Sequence, residues 1–234
     1  RVWALPFLYD SWEAEWAAED SPAVHDAFAS QLQKYDHEML GWMAYGTVEI
    51  YSNKPVRVPA DLKGMKMRSF GLDTTLFLGD LGAAPVTMSS QEVYQAMQRG
   101  TIDGFMTGPS SVLSRKLYEV SKFGTDAQII YLPFIASASK IWWDGLPKDV
   151  QQAVREAAAV AQEASRKQGK ADSLREKDKL REVGVTVAEL TPEERKAWLD
   201  AAAKRLADYK AANGAAGQQI LDAVAAANKA HPAQ

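Results

Sequence analysis

Arg68, in the stretch DLKGMKMRSFG at residues 61–71, is the side chain best suited to ligand chemistry. A planar guanidinium grips a carboxylate through two parallel charge-assisted hydrogen bonds, a geometry lysine cannot copy. Arg68 lies between Met67 and Ser69 on a short segment of alternating character. Two later junctions supply polar company. PVTMSSQEVY (85–94) brings hydroxyls and a helix start, and FMTGPSS (105–111) brings Thr107, Ser110 and Ser111 beside glycine and proline. In open α/β sheets, ligands collect at strand C-terminal ends and helix N-termini. Residue chemistry alone leaves two readings of Arg68 open: a ligand contact, or a surface or structural ion pair.

Catalytic patterns are missing. His25, His37 and His231 occur in no HExxH or other compact ligand spacing, so neither a zinc site nor a cofactor is expected. No GxSxG elbow is present. SASK (137–140) has a loose serine-to-lysine spacing without the motifs that accompany it in acyl enzymes. GLDTTLFLG (71–79) lacks the glycine density and lysine of a phosphate loop. Asp103, in RGTIDGFMTG, reads as a turn residue capping backbone donors or as a residue ordering a ligand loop. No partner base or nucleophile accompanies it.

The elements that must position Arg68 follow from periodicity. Trp12, Trp16, Val24, Phe28 and Leu32 recur at helical spacing within 11–34, and 38–51 reads as strand. MKMRSF and APVTM are short strands around a helix at 72–82. Ser89 and Glu92 have capping-box spacing for a helix that Gly100 closes. TIDGFMTG is extended, a short helix covers 110–121, and Pro133 argues against an uninterrupted strand through QIIYLPFIASASKIWW. LPKDVQQAVREAAAVAQEASRKQGKADSLREKDKLREVG is an exceptionally long helical run that Gly169 could bend or that could span two lobes. VTVAEL is a strand, Thr191, Pro192 and Glu194 open the next helix, and an Ala-rich helix ends the chain. Helices alternating with short strands indicate an α/β fold with parallel sheet content in more than one lobe.

Composition narrows the partners. The 234 residues carry 27 basic and 30 acidic side chains, with no basic arm or stripe, so a nucleic-acid partner is not expected. Cysteine is absent, which removes disulfides and thiolate chemistry. No apolar run approaches the ~20 residues of a membrane-spanning helix.

Several stretches together resemble the periplasmic solute-binding proteins of TRAP transporters, the DctP-like family. They are LPFLYD, SNKPVRVPADLKGMKMRSFG, LGAAPVTMSSQEVYQAMQRGTIDG, YEVSKF and WWDGLPKDVQQAVREAA, in order along the chain. The resemblance implies a two-lobed α/β binding protein with hinge strands and a long helix spanning both lobes. It implies one lobe from 1–45 and 133–172, another from 46–132 and 173–234, and an early part of the first lobe missing before LPFLYD. It also implies a periplasmic, non-enzymatic protein that closes around a small organic acid and delivers it to TRAP permease membrane subunits. The family's carboxylate-pairing arginine falls on Arg68.

Departures from the family pattern refine the expected ligand. Val48 stands where a second arginine is common, and Glu49 beside it cannot attract an acid. Met106 and Thr107, in DGFMTG, replace the usual Glu and Asn, and an apolar position near Ile129 replaces a histidine. One firm cation with apolar lining suits a monocarboxylate with a hydrophobic or aromatic part, or a 2-oxo acid. The candidate ligand-binding residues are therefore Arg68 and Thr107 with Phe70, Met88, Phe105, Met106 and Tyr131. Phe134 is a further lining candidate, and core packing is the alternative for each apolar one. Tyr51 and Trp142 are read as structural. The competing functions are a ligand sensor for a receptor and an enzyme acting on a small acid.

Overall fold

The structure is a computed structural model that describes residues 2–233. The chain divides into two compact units. Unit 1 holds the segment ending at Leu8 together with Gly46–Leu132 and Asp172–Ala212, and unit 2 holds Tyr9–Tyr45, Pro133–Ala171 and the segment from Asn213 onward. The expected partition differs at the two ends: residues up to Leu8 group with 46–132, and those from Asn213 group with 9–45.

Unit 1 is built on a sheet. The strands are β1 (His37–Ser52), β2 (Lys66–Ser69), β3 (Ala84–Thr87), β4 (Gly104–Thr107), β5 (Phe123–Ser139) and β6 (Thr186–Glu189), in the order β3-β2-β4-β1-β5-β6, with β1 belonging to unit 1 from Gly46 and β5 up to Leu132. β2 pairs in parallel with β3 on one side and β4 on the other. β1 pairs antiparallel with β4, and β5 in parallel with β6. Parallel neighbours need crossovers. Helix α3 (Leu72–Asp80) leads from β2 to β3, and α4 (Val93–Gln98) leads back across β2 to β4. After β4 the chain leaves in the opposite direction, through α5 (Pro109–Ser114) towards β5. The outgoing connections of the adjacent strands β2 and β4 thus diverge, which makes their C-terminal ends a topological switch point.

One face of this sheet is closed by Tyr51, Phe105, Val93, Met97, Val112, Leu117, Leu180 and Val185, all buried in one cluster. α4 is shorter than its capping spacing predicted. Glu92 accepts from the Ser89 amide at 2.9 Å, but the helix itself begins at Val93.

Unit 2 is mainly helical. The helical spacing of 11–34 is realised as two helices, α1 (Trp12–Asp20) and α2 (Pro22–Gln33), because Pro22 lacks the N–H that would continue α1. The short helix α6 is Lys140–Asp144. α7 (Lys148–Glu182) enters unit 1 after residue 171. It runs through Gly169 without interruption. That glycine instead permits close packing, since a Cβ there would meet the Cβ of Ala44 at 2.8 Å.

Pro133 does not interrupt β5, contrary to the sequence expectation. β6 pairs only with Phe123–Asp126, so the donor that proline lacks is not one β6 could use. α8 (Pro192–Ala230) opens with the expected box: Glu194 donates its amide to Thr191 Oγ1 and accepts from the Thr191 amide. Gly214, at φ 54 and ψ −139, breaks its helical path where the sequence placed the start of a last helix.

Candidate functional site

Every residue of β2 but the first is buried, as expected for a strand flanked on both sides. Arg68 pairs in register with Val86 of β3 and Phe105 of β4. Its side chain reaches further, towards the C-terminal ends of both neighbours. Nε donates to the Met88 carbonyl at 3.1 Å, and Nη1 donates to the Met106 carbonyl at 2.9 Å. The Phe70 ring lies 5.6 Å from the guanidinium carbon. Arg68 is only 5% exposed. A buried guanidinium is therefore oriented from both sides at the switch point between β2 and β4. A planar guanidinium fixed in this way has the fork geometry that takes up a carboxylate.

Hydroxyls tie the same strand ends together. Ser69 Oγ lies 2.6 Å from Thr75 Oγ1 and 3.0 Å from Thr87 Oγ1, joining β2, the first turn of α3 and β3. Thr75 also donates to the Gly71 carbonyl at 2.8 Å. At the opposite end of β2, Asp103 Oδ2 accepts from the Lys66 amide at 2.8 Å, while its own amide donates to the Lys66 carbonyl. Asp103 thus does the work of a turn residue that locks β4 beside β2.

The other candidates fall in different places. Phe70, Met88 and Met106 surround Arg68, the last two through their carbonyls, while the Met88 side chain packs on the core cluster. Thr107 is buried at the end of β4, opposite Glu49 of β1. Phe105 is fully buried and stacks on Tyr51 at 5.6 Å between ring centroids, the packing of a core residue. Tyr131 is buried on β5, two strands from β4, and donates its hydroxyl to Gln128 Oε1 at 2.9 Å. Phe134 belongs to unit 2, where it packs on Tyr45. Trp142, read as structural, is half exposed, and the neighbouring Trp143 is the buried one.

Residue-type reasoning missed two things. The carbonyls of Met88 and Met106 are invisible to it because any residue carries one; only the strand register brings them to Arg68. Glu49 is the second. Set aside as unable to attract an acid, it is buried, and its Oε2 accepts from the amides of Ala127 and Gln128 at 2.9 and 2.8 Å. Burial pushes its carboxyl up to about 7, against the pull of Lys177.

Residues 1–212 match the family model for bacterial extracellular solute-binding proteins, family 7 (DctP). The C4-dicarboxylate-binding periplasmic protein DctP of Vibrio cholerae is 31% identical over 231 residues, 98% of this chain and 68% of that protein. The structure of DctP7, a Bordetella pertussis extracytoplasmic solute receptor binding pyroglutamic acid, matches with a TM-score of 0.90 and 29% identity over 96% of this chain and 74% of that one. A TRAP periplasmic solute-binding protein from Anaerococcus prevotii with bound glucuronate matches with a TM-score of 0.91 and 27% identity over 99% of this chain and 74% of that one. The chain spans 68%, 60% and 64% of the lengths of three curated relatives. Its fold is the two-lobed fold of these solved TRAP proteins. The chain belongs to family 7 of the bacterial extracellular solute-binding proteins, whose members carry solutes for transport rather than transform them.

Proposed function

We propose that this protein captures a small organic carboxylate in the periplasm, anchors it on Arg68, and delivers it to the membrane subunits of a TRAP permease. The observation that carries the reading is the buried Arg68 guanidinium, oriented by the Met88 and Met106 carbonyls at the switch point of the sheet. The relatives support the ligand class. C4-dicarboxylates, pyroglutamic acid and glucuronate share a carboxylate and little else.

Within that class the favoured ligand is a monocarboxylate with an apolar or aromatic part, or a 2-oxo acid. Val48 is buried apolar packing where a second arginine is common, and Glu49 beside it is engaged by backbone amides. Phe70 offers a ring beside the guanidinium. A second carboxylate would have no comparable partner among these residues.

The test is a thermal-shift screen of the full-length protein against mono-, di- and 2-oxo carboxylates, repeated with Arg68→Ala. An acid at 100 times its Kd should stabilise the wild type by about 2.7 kcal/mol. The expected result is a shift with monocarboxylates that the variant loses. Equal stabilisation of the variant would remove Arg68 as the anchor. A larger shift with dicarboxylates would overturn the finer reading and leave the carboxylate class standing.

A further inference from the structure

Four elements of unit 1 converge on one short stretch of β5. Gln128 has φ 48, a left-handed conformation that an L residue other than glycine rarely takes without support. The support comes from charged side chains. Glu49 of β1 accepts from the consecutive amides of Ala127 and Gln128 through a single oxygen, Oε2. Arg195 of α8 donates to the Ala127 carbonyl at 3.0 Å and lies over the Phe7 ring. Phe7, itself left-handed at φ 53, donates its amide to the Ile129 carbonyl at 2.6 Å. Lys177 of α7 pairs with Asp126 at 2.5 Å and stands 3.6 Å from Glu49 Oε1, a buried atom with no hydrogen-bond partner among the described residues.

Two successive amides aimed at one oxygen form an anion-binding nest, and here the anion is part of the chain. The turn's other product is the placement of Gln128, whose Oε1 accepts the Tyr131 hydroxyl. We propose that Glu49 is a positioning residue: its carboxylate holds the left-handed turn at Ala127–Gln128, that turn fixes the Gln128–Tyr131 pair, and ligand affinity follows the charge on Glu49. The inference rests on the carboxylate-binding reading above, with Tyr131 among the binding residues.

The charged groups facing Glu49 are Lys177, Asp126 and, across the Ala127 peptide, Arg195. An ionised carboxylate accepts stronger hydrogen bonds than a neutral one. The turn therefore tightens as pH rises through about 7, where Glu49 loses its proton. A purely repulsive Glu49 would act in the opposite sense, weakening the binding of an acid as it ionised.

The experiment measures the Kd of pyroglutamate, a monocarboxylate ionised throughout the window, between about pH 5.5 and pH 8.5 for the full-length wild type and Glu49→Gln. Amide exchange at Ala127 and Gln128, corrected for intrinsic rates, is followed in parallel. Wild-type affinity should tighten about threefold or more across the window, with rising protection of both amides, while Glu49→Gln stays flat in both readouts. A flat wild type, an affinity that falls with pH, or an unchanged slope in Glu49→Gln would overturn the proposal. If Glu49→Gln does not fold, Gln128→Gly replaces it. Glycine takes the left-handed conformation unaided, so the slope should flatten, and a full slope counts against the clamp. If no acid binds the wild type, the functional reading fails separately, and the amide exchange decides whether Glu49 holds the turn.

Discussion

Arg68 in unit 1 and Arg166 in unit 2 are almost equally buried, at 5% and 7% exposure, yet they stand at different kinds of place in the fold. Arg166 meets carboxylates: Nη1 and Nη2 pair with Asp20 at 2.7 and 2.8 Å, and Nη2 also reaches Glu19 at 2.8 Å. Arg68 is oriented by the carbonyls of Met88 and Met106. Carboxylates orient and neutralise at once, so Arg166 reads as a structural tie between α7 and α1. Arg68 is fixed by backbone carbonyls at two strand ends, the part of an open α/β sheet where ligands collect. Burial of an arginine does not by itself announce a binding site; its place in the sheet topology is the further signal.

Buried glutamates repeat the lesson. Glu49 has two amide donors and a nearby lysine, and burial lifts its carboxyl to about 7. Glu15 on α1 is as deeply buried, but neither of its oxygens has a hydrogen-bond partner among the described residues. Burial and the neighbouring Glu19 hold it well above the ordinary carboxylate range.

The largest effect should come from Arg166→Ala, which leaves Glu19 buried without its partner and should cost about 3–5 kcal/mol in a urea titration. The response to a carboxylate should survive in that variant. A cost within the ordinary surface range, or loss of the ligand response, would break the contrast with Arg68. Arg68→Ala should act on binding. Calorimetry should find the best acid bound more weakly by about 2–5 kcal/mol, roughly 30-fold or more in Kd. Arg68→Lys should not restore binding, because an ammonium cannot reproduce the fork that spans two strand ends.

Glu15→Met sharpens the glutamate comparison. Its folded carboxyl titrates above its unfolded one, so it favours folding below about pH 4.5 and that stability is lost as pH rises towards the folded value. The methionine variant should therefore gain about 1–3 kcal/mol at pH 8 and little at pH 4, measured by denaturant unfolding at both. Equal gains at both pH values would mean that packing rather than charge decides. The smallest effect calibrates the others: Thr191→Ala removes one cap from α8 and should cost about 1 kcal/mol without touching ligand binding.

Local chemistry made much of the fold legible. The Thr191–Pro192–Glu194 start, the run that became α7 and the strand around Arg68 follow from caps, periodicity and turn residues in the chain itself. Errors arose where a neighbour overrode a local rule. Pro133 sits inside β5, whose pairing with β6 ends at Asp126. At Gly169, where a bend was one of two readings, the helix runs on, and a Cβ there would meet Ala44.

The amino-acid sequence alone determined an α/β chain with an arginine on a short strand and no nucleophile pattern around it, because residue type, helix caps and short spacing are properties of nearby residues. That the chain is a solute-binding protein came from its resemblance to a family, carried by several stretches in order. Only the tertiary structure decided what holds Arg68 and what Glu49 does. Both depend on backbone carbonyls and amides, which every residue possesses, and only strand order and register select which of them meet a charged side chain.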